Sequence, residues 1–203
     1  MSEHAAKWEE RFRRPGFWAG DEPAPFVREI LPLVGPPGTA LELAMGEGRN
    51  ALHLAQEGWR VTALELTAAG LDKAEALARQ RGVPAWRAAP NGMALAPSPG
   101  VVLVQQDLLA SLLPAGPWDL VLVVNFLLRP LLPAIAQILR PGTFLAYETY
   151  TVRQLEFEGG PRSLEFLLKP GELREAFRDL EVLTYREWTA GKGVASLLAQ
   201  KPR

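Results

Sequence analysis

The sequence of 203 residues contains no cysteine and only two histidines, His4 and His53. Disulfide bonds, thiolate metal sites and cysteine nucleophiles are therefore excluded, and we expect no metal site, because a zinc site would need several histidines. His53 stands among apolar residues of a predicted helix, where a structural role is more common than that of a general base.

Neither charge sign is in excess, because 22 Lys and Arg face 23 Asp and Glu for a formal net charge of -1. This balance does not favour a nucleic-acid-binding surface. No apolar run in the sequence approaches the roughly 20 residues that a membrane-spanning helix needs. Residues 1–4 lack the basic start and apolar stretch of a signal peptide. We therefore expect a soluble cytoplasmic protein that has neither a membrane nor a nucleic acid as a partner.

Predicted strands and helices alternate along the chain. Five predicted strands cover residues 39–44, 60–65, 101–106, 119–124 and 143–149. The third and fourth are nearly continuous runs of Val and Leu, as is typical of strands buried on both faces of a parallel sheet. Two last strands, 181–188 and 194–200, are joined by a short glycine-containing link that predicts an antiparallel hairpin. The pattern predicts an α/β fold with a doubly wound, mostly parallel, seven-stranded sheet.

We expect one domain over residues 1–203, which is within the usual length of a single domain. An N-terminal helical cap covers residues 1–37 and a ligand-binding core covers 38–150. Residues 151–203 supply an insertion, a helix and the closing hairpin. Residues 83–100 are rich in proline and poor in regular pattern, so they are predicted to form a long loop.

The first predicted strand enters a glycine turn, Glu42-Leu43-Ala44-Met45-Gly46-Glu47-Gly48-Arg49-Asn50, which a helix follows. This layout lets a nucleotide approach bare backbone, although an ordinary tight turn also explains the glycines. Glu42 and Glu47 would repel a pyrophosphate, which prefers bare amides at a helix N-terminus. S-Adenosylmethionine has no phosphate, and Glu42 can attract its α-ammonium group. The two acids therefore favour S-adenosylmethionine over a dinucleotide.

Two further acids end predicted strands. Glu65 ends the second strand at the spacing of a ribose-binding acid, and a carboxylate can accept both ribose hydroxyls. Asp107 ends the third strand and could accept the adenine amino group, with Leu66 and Leu108 on either side of the ring. The alternatives are a solvated acid for Glu65, a helix cap for Asp107 and ordinary core for the leucines. Because ligands bind at the carboxyl ends of such strands, these residues predict one site.

Together these motifs resemble class I S-adenosylmethionine-dependent methyltransferases. Glu42-x-Ala44-x-Gly46-x-Gly48 is similar to the first motif of that family, Glu65 to its second and Asp107 to its adenine-side acid. Leu139-Arg140-Pro141-Gly142-Thr143 resembles the Leu-x-Pro-Gly-Gly turn before the fifth strand, with Thr143 in place of the second glycine. The resemblance extends over about residues 38–150.

Within the family, Gly46-Glu47-Gly48-Arg49-Asn50-Ala51 resembles the small tellurite-resistance-protein-like methyltransferases. Leu167-Leu168-Lys169-Pro170-Gly171-Glu172-Leu173 is similar to the same branch. Met45 departs from it, because cysteine is frequent at that position.

The resemblance and the residues together imply S-adenosyl-L-methionine as the cofactor and methyl transfer to a small-molecule acceptor by in-line displacement. The predicted cofactor-binding residues are Glu42, Ala44, Gly46, Gly48, Asn50, Glu65, Leu66, Asp107, Leu108 and Asn125. Asn125 ends the fourth strand and could also orient the acceptor, or simply satisfy a turn.

Trp18, Tyr147 and Tyr150 are the predicted acceptor-lining residues, with packing as the alternative for each. No catalytic residue is predicted, because the cofactor carries the reactivity. Two other functions fit parts of the pattern. One is a non-catalytic regulator that binds S-adenosylmethionine, and the other is an NAD-dependent oxidoreductase, which would need a turn compatible with phosphate.

Overall fold

A computed structural model describes residues 3–89, 92 and 94–203, so three residues of the predicted loop 83–100 lie outside the described part. The chain forms two compact units, residues 1–114 and residues 115–203. In the described residues, no helix combines the length and the apolar character that crossing a membrane requires.

The first unit contains a parallel sheet. Its strands are β1 (Thr39–Leu43), β2 (Arg60–Glu65), β3 (Ala85–Arg87) and β4 (Gly100–Gln105). They are ordered β3-β4-β2-β1, and each neighbouring pair is parallel. All of β1 is buried, as are the last five residues of β2, which agrees with their apolar sequences. The register pairs Glu42 with Ala63 and Glu65 with Gln105, so the carboxyl ends of the strands share one edge.

Helices of the first unit precede or connect these strands. They are α1 (Glu3–Arg13), α2 (Pro25–Ile30), α3 (Arg49–Gln56) and α4 (Ala68–Arg81), with a short 3₁₀ turn at Leu31–Leu33. Thr67 caps α4 by accepting the Gly70 amide, as its sequence position predicts. Glu9 of α1 adds a second cap, because its Oε2 accepts the Ala69 amide at 3.2 Å. Gly82 ends α4 in the left-handed conformation, with φ 65°.

The second unit holds a mixed sheet. Its elements are β5 (Leu120–Val124), α5 (Leu132–Ile138), β6 (Phe144–Tyr150), α6 (Glu172–Ala176), β7 (Glu181–Trp188) and β8 (Val194–Gln200). Three 3₁₀ turns lie at Arg129–Leu131, Val152–Glu156 and Leu164–Phe166. β5 and β6 are parallel, whereas β8 runs antiparallel to both β6 and β7. The predicted closing hairpin is therefore confirmed, and both of its strands begin and end at the predicted residues.

An arginine fixes the insertion between β6 and α6. Arg129 forms a bidentate pair with Glu172, at 2.6 Å from Nε to Oε1 and 3.0 Å from Nη2 to Oε2. The same guanidinium donates to the carbonyl oxygens of Glu165 and Leu167, both at 2.7 Å. The ends of the insertion are joined as well, because the Val152 amide donates to the Leu168 carbonyl at 2.9 Å. This segment was predicted to be irregular, and its order comes from these contacts rather than from a regular element.

The predicted α/β architecture with its mostly parallel sheet and terminal hairpin is confirmed. The structure adds one strand, β3, inside the segment that was predicted to be a loop. Three residues are too few for a strand periodicity to show in a sequence. β3 pairs with residues 101–103 of β4, and its Arg87 binds Asp72 and Glu75 of α4 at 2.9 and 2.8 Å. The helix predicted between the insertion and the closing hairpin is α6, which is short and ends at Ala176.

Candidate cofactor site

The turn between β1 and α3 has three residues in the left-handed conformation. Their φ angles are 51° at Ala44, 61° at Gly46 and 88° at Gly48. Glycine adopts this conformation without strain, whereas Ala44 adopts it against the steric preference of its Cβ. Such strain is concentrated at ligand sites, where the surrounding structure enforces it. The turn therefore holds its backbone in a conformation that an ordinary strand-to-helix connection would not need.

Glu42 is the penultimate residue of β1 and is only 1% exposed. Its Oε1 accepts the Asn50 Nδ2 hydrogen at 3.0 Å, whereas Oε2 is buried with no hydrogen-bond partner among the described residues. Burial raises the pKa of Glu42 to about 7, against the opposing effects of the Asn50 hydrogen bond and the Arg49 charge. A buried carboxylate oxygen without a donor is costly. A cationic hydrogen-bond donor at Oε2 would remove that cost and favour the ionised form.

Asn50, a predicted cofactor-binding residue, uses both ends of its side-chain amide within the protein. Nδ2 donates to Glu42, and Oδ1 accepts the Ala24 amide at 2.9 Å, just before α2. The residue is 3% exposed. Its contacts therefore orient Glu42 and fix the start of α2, so Asn50 acts on the site through Glu42.

Glu65 joins the glycine turn to the end of β2. Its Oε2 accepts the Gly46 amide at 3.0 Å, and Oε1 accepts both the amide and the hydroxyl of Thr67, at 2.9 and 2.7 Å. Burial raises the pKa of Glu65, although these hydrogen bonds oppose the shift. A carboxylate oxygen has two acceptor positions, so Oε1 is saturated and Oε2 retains one. The sequence did not predict that the Glu65 carboxylate connects the glycine turn to the end of β2.

Asp107 lies two residues beyond β4 and caps the turn that follows. Its Oδ1 accepts the Leu109 amide at 2.9 Å, so Asp107 caps a turn, whereas the alternative considered was a helix cap. Leu108 is buried and Leu66 is half-buried. Gln105, which the sequence did not single out, donates from Nε2 to the Leu66 carbonyl at 3.2 Å. Because Gln105 is the register partner of Glu65, only the sheet pairing reveals its place at this edge.

Glu47, the second acid of the turn, is neutralised within the protein. Its Oε1 lies 2.7 Å from the Lys73 Nζ, and its Oε2 accepts the Trp18 amide at 2.6 Å. The carboxylate side chain is 4% exposed. Glu42 is therefore the acid of this turn whose charge lacks a compensating ion pair among the described residues. The preference for S-adenosylmethionine over a dinucleotide, which the sequence assigned to Glu42 and Glu47 together, therefore depends on Glu42.

The predicted acceptor-lining residues have three different environments. Trp18 is 54% exposed, and the Arg11 guanidinium lies 4.7 Å from its ring centroid. Tyr147, in the second unit, is 1% exposed and packs on Phe177 with ring centroids 6.0 Å apart. Burial raises its pKa, and its hydroxyl donates to the Phe126 carbonyl at 3.0 Å. Tyr147 thus has the packing role considered as its alternative, whereas Tyr150 is half-buried at the end of β6.

Asn125 follows β5 directly, with φ 57° and an exposed side chain. Its amide donates to the Glu148 carbonyl of β6 at 2.8 Å. A left-handed conformation is tolerated by asparagine more readily than by most residues, which accounts for its presence at this strand end. Among the described residues, no group of three or more His, Cys, Asp and Glu side chains is arranged to bind a metal.

Comparison with protein families gives one match, to a methyltransferase domain, over residues 41–147. This range covers more than half of the 203 residues and contains the glycine turn, Glu65 and Asp107. No curated protein sequence matches the chain.

Solved structures share the fold at low sequence identity. A protein from work on the conversion of a disulfide bond into a thioacetal group during echinomycin biosynthesis aligns with a TM-score of 0.69 and 18% identity, over 98% of this chain and 93% of its own. TehB from Haemophilus influenzae aligns with a TM-score of 0.66 and 18% identity, over 86% of this chain and 61% of its own. A SAM-dependent methyltransferase from Aquifex aeolicus aligns with a TM-score of 0.61 and 18% identity, over 85% of this chain and 88% of its own. The chain belongs to the methyltransferase-domain family and has the fold of class I S-adenosylmethionine-dependent methyltransferases.

Proposed function

We propose that the chain binds S-adenosylmethionine at the carboxyl ends of β1, β2 and β4 and transfers its methyl group to a small-molecule acceptor. The observation that supports this most directly is the buried Oε2 of Glu42, which has no donor among the described residues. The α-ammonium of S-adenosylmethionine supplies both a positive charge and hydrogen-bond donors. A carboxylate buried beside the glycine turn is therefore matched to the aminoacyl end of this cofactor.

The other residues of the edge fit the remaining parts of the cofactor. The left-handed backbone at Ala44, Gly46 and Gly48 permits close approach of the aminoacyl part. Glu65 retains an acceptor position on Oε2 for a ribose hydroxyl. Leu66 and Leu108 are proposed to flank the adenine, with the Asp107 carboxylate beside its amino group.

When bound, S-adenosylmethionine supplies a methyl group on a cationic sulfur, which an acceptor nucleophile displaces in line. The chain contributes alignment and exclusion of water. Asn50 holds Glu42 in place, and Asn125 is proposed to orient the acceptor with its exposed amide. Trp18 and Tyr150 are proposed to line the acceptor site. Tyr147 is proposed to support it from the core through its hydrogen bond to the Phe126 carbonyl.

Calorimetric titration of the wild-type protein with S-adenosylmethionine, S-adenosylhomocysteine and NAD tests the cofactor assignment. We expect the first two to bind and NAD to show no measurable binding, because its pyrophosphate would face Glu42. Tight binding of NAD alone would contradict the proposal.

The role of Glu42 can be tested with a ligand pair that differs in the aminoacyl group. Glu42→Gln should weaken S-adenosylhomocysteine binding about tenfold or more, since a charge-assisted hydrogen bond is lost. The same variant should bind 5′-methylthioadenosine, which lacks the α-ammonium, as the wild type does. Glu57→Gln, at an exposed acid just after α3, is the matched control. Equal weakening of both ligands would show that Glu42 does not recognise the ammonium.

A further inference from the structure

Residues 14–22, here called the N-terminal strap, connect two anchored parts of the first unit. Phe12 of α1 is 7% exposed before the strap, and Ala24 is 3% exposed after it. Within the strap every residue is exposed or half-buried. Apolar burial therefore contributes little to its position, and polar contacts must hold it.

Lys73 of α4 provides the central contact. Its Nζ donates to the Arg14 carbonyl at 2.8 Å, to the Gly16 carbonyl and to Glu47 Oε1 at 2.7 Å. The other Glu47 oxygen accepts the Trp18 amide at 2.6 Å. Lys73 therefore binds two carbonyl groups of the strap, and Glu47 binds one of its backbone amides.

Two arginines extend this pattern along the strap. Arg49 of α3 donates to the Ala19 carbonyl and, at 3.4 Å, to the Glu22 carbonyl. Arg81 of α4 donates to the Asp21 carbonyl. Hydrogen bonds of this kind each contribute little stability where water competes for the donor and the acceptor. A segment held in this way opens locally at a lower free energy than the fold itself.

The strap is coupled to the glycine turn through Glu47, which lies between Gly46 and Gly48. On the other side of the turn, the Phe12 ring lies 3.5 Å from the position that a Cβ on Gly46 would occupy. α1, which leads into the strap, therefore lies against the same backbone that is proposed to face the cofactor. The strap cannot leave the turn without losing the hydrogen bond from the Trp18 amide to Glu47. It must also release Lys73 from the Arg14 and Gly16 carbonyls.

We propose that the N-terminal strap closes over the glycine turn and that Lys73 is the positioning residue that keeps it closed. Entry of S-adenosylmethionine and release of its demethylated product then require the strap to break its contacts with Lys73 and Glu47. This inference rests on the proposed cofactor site and adds to it a control of cofactor exchange. It assigns a role to the second acid of the turn, which binds the strap instead of the cofactor.

Stopped-flow measurement of S-adenosylhomocysteine binding tests the proposal. Lys73→Met should raise the association and dissociation rate constants together, each about fivefold, because about 1 kcal/mol of closing interaction is lost. The dissociation constant should change by less than either rate. Loss of an ordinary binding contact raises the dissociation rate alone, so the parallel rise separates gating from a merely structural effect. Lys73→Arg keeps the charge and should restore slow exchange.

Arg79→Met is the matched control, since it removes a positive charge from an exposed position of the same helix. It should leave both rates unchanged. Hydrogen exchange at the Trp18 amide provides a second readout: S-adenosylhomocysteine should slow it, and Lys73→Met should accelerate it. If Lys73→Met binds S-adenosylhomocysteine with unaltered rate constants and the hydrogen exchange of its Trp18 amide is also unaltered, the strap proposal alone is overturned. Failure of the wild-type protein to bind S-adenosylhomocysteine would overturn the proposed cofactor site, and the strap proposal with it.

Discussion

Gly48 lies so close to Ala74 of α4 that a Cβ on Gly48 would stand 2.7 Å from the Ala74 Cβ. The second glycine of the turn is therefore required by helix packing as well as by its φ of 88°. The same contact fixes the distance between the turn and α4, which carries Lys73.

Gly48→Ala should destabilise the protein by about 2–4 kcal/mol, because left-handed strain adds to overpacking against Ala74. It should also reduce S-adenosylhomocysteine affinity, because the turn must shift. Gly82→Ala is the matched control: Gly82 has φ 65°, but nothing lies within 4 Å of its Cβ position. This control should cost about 1 kcal/mol and leave affinity unchanged. Urea unfolding and calorimetry measure both effects, and equal losses in the two variants would argue against the packing role of Gly48.

Glu42 should make stability depend on pH. Burial raises its pKa from 4.5 to about 7. Between these values the folded protein retains a proton that the unfolded chain has released, so the free energy of unfolding falls as the pH rises. The loss amounts to about 3 kcal/mol and is complete above the folded-state pKa. Glu42→Gln should become more stable relative to the wild type from pH 4.5 to pH 8.

Urea unfolding of both proteins at several pH values across this window measures the difference. Burial also raises the pKa of Glu65, and the two carboxylates repel each other, so the difference between the proteins reports Glu42 together with its effect on Glu65. Parallel stability profiles for the wild type and Glu42→Gln would disprove the assignment of a raised pKa to Glu42.

Glu65→Ala should weaken S-adenosylhomocysteine binding by about 1.5–3 kcal/mol, the magnitude of a charge-assisted hydrogen bond. Part of this effect would come from the Gly46 amide, which loses its acceptor. Thr67→Val tests whether the cap of α4 also contributes: it removes the hydroxyl donor to Glu65 and the cap but keeps the carboxylate. Calorimetry should show a smaller loss for Thr67→Val. A larger loss there would indicate that helix capping, and not the carboxylate, determines the affinity.

Arg129→Met should loosen the insertion between β6 and α6. Four hydrogen bonds to the Glu172 carboxylate and to the carbonyls of residues 165 and 167 disappear, and the Glu172 hydrogen bond that lowers that carboxyl's pKa is lost. We expect destabilisation by about 1–3 kcal/mol and faster hydrogen exchange at residues 165–168. Arg178→Met, at an exposed arginine paired with Glu175, should leave the unfolding midpoint and this exchange unchanged. Unchanged exchange in Arg129→Met would exclude it as the residue that holds the insertion.

Strand positions and the glycine turn were predictable because both leave local signals. The bounds of β2 and of the closing hairpin agree with the predicted ones, since apolar runs ended by turn residues mark them clearly. Glu42 was identified as an acid at a strand end that enters a glycine turn. Its lack of a partner at Oε2 and its raised pKa follow from burial, which needs the surrounding fold.

Partners distant along the chain were not predictable. Lys73 and Glu47 are 26 residues apart on different elements, and no periodicity links them. Asn50 reaches the Ala24 amide over the same separation, so its role as an intermediary also depended on tertiary structure. Glu47 was assigned an electrostatic role toward the ligand, because a sequence shows charges but not the ion pairs that neutralise them.

The short strand β3 has a consequence for the sheet of the first unit as a whole. It lies at the end of the strand order, where an exposed backbone ladder would invite pairing with another chain. Three residues offer a foreign strand too few hydrogen bonds for stable addition, and Arg87 places a cation, fixed by Asp72 and Glu75, at this border. A segment without a recognisable strand pattern thus protects the sheet against aggregation.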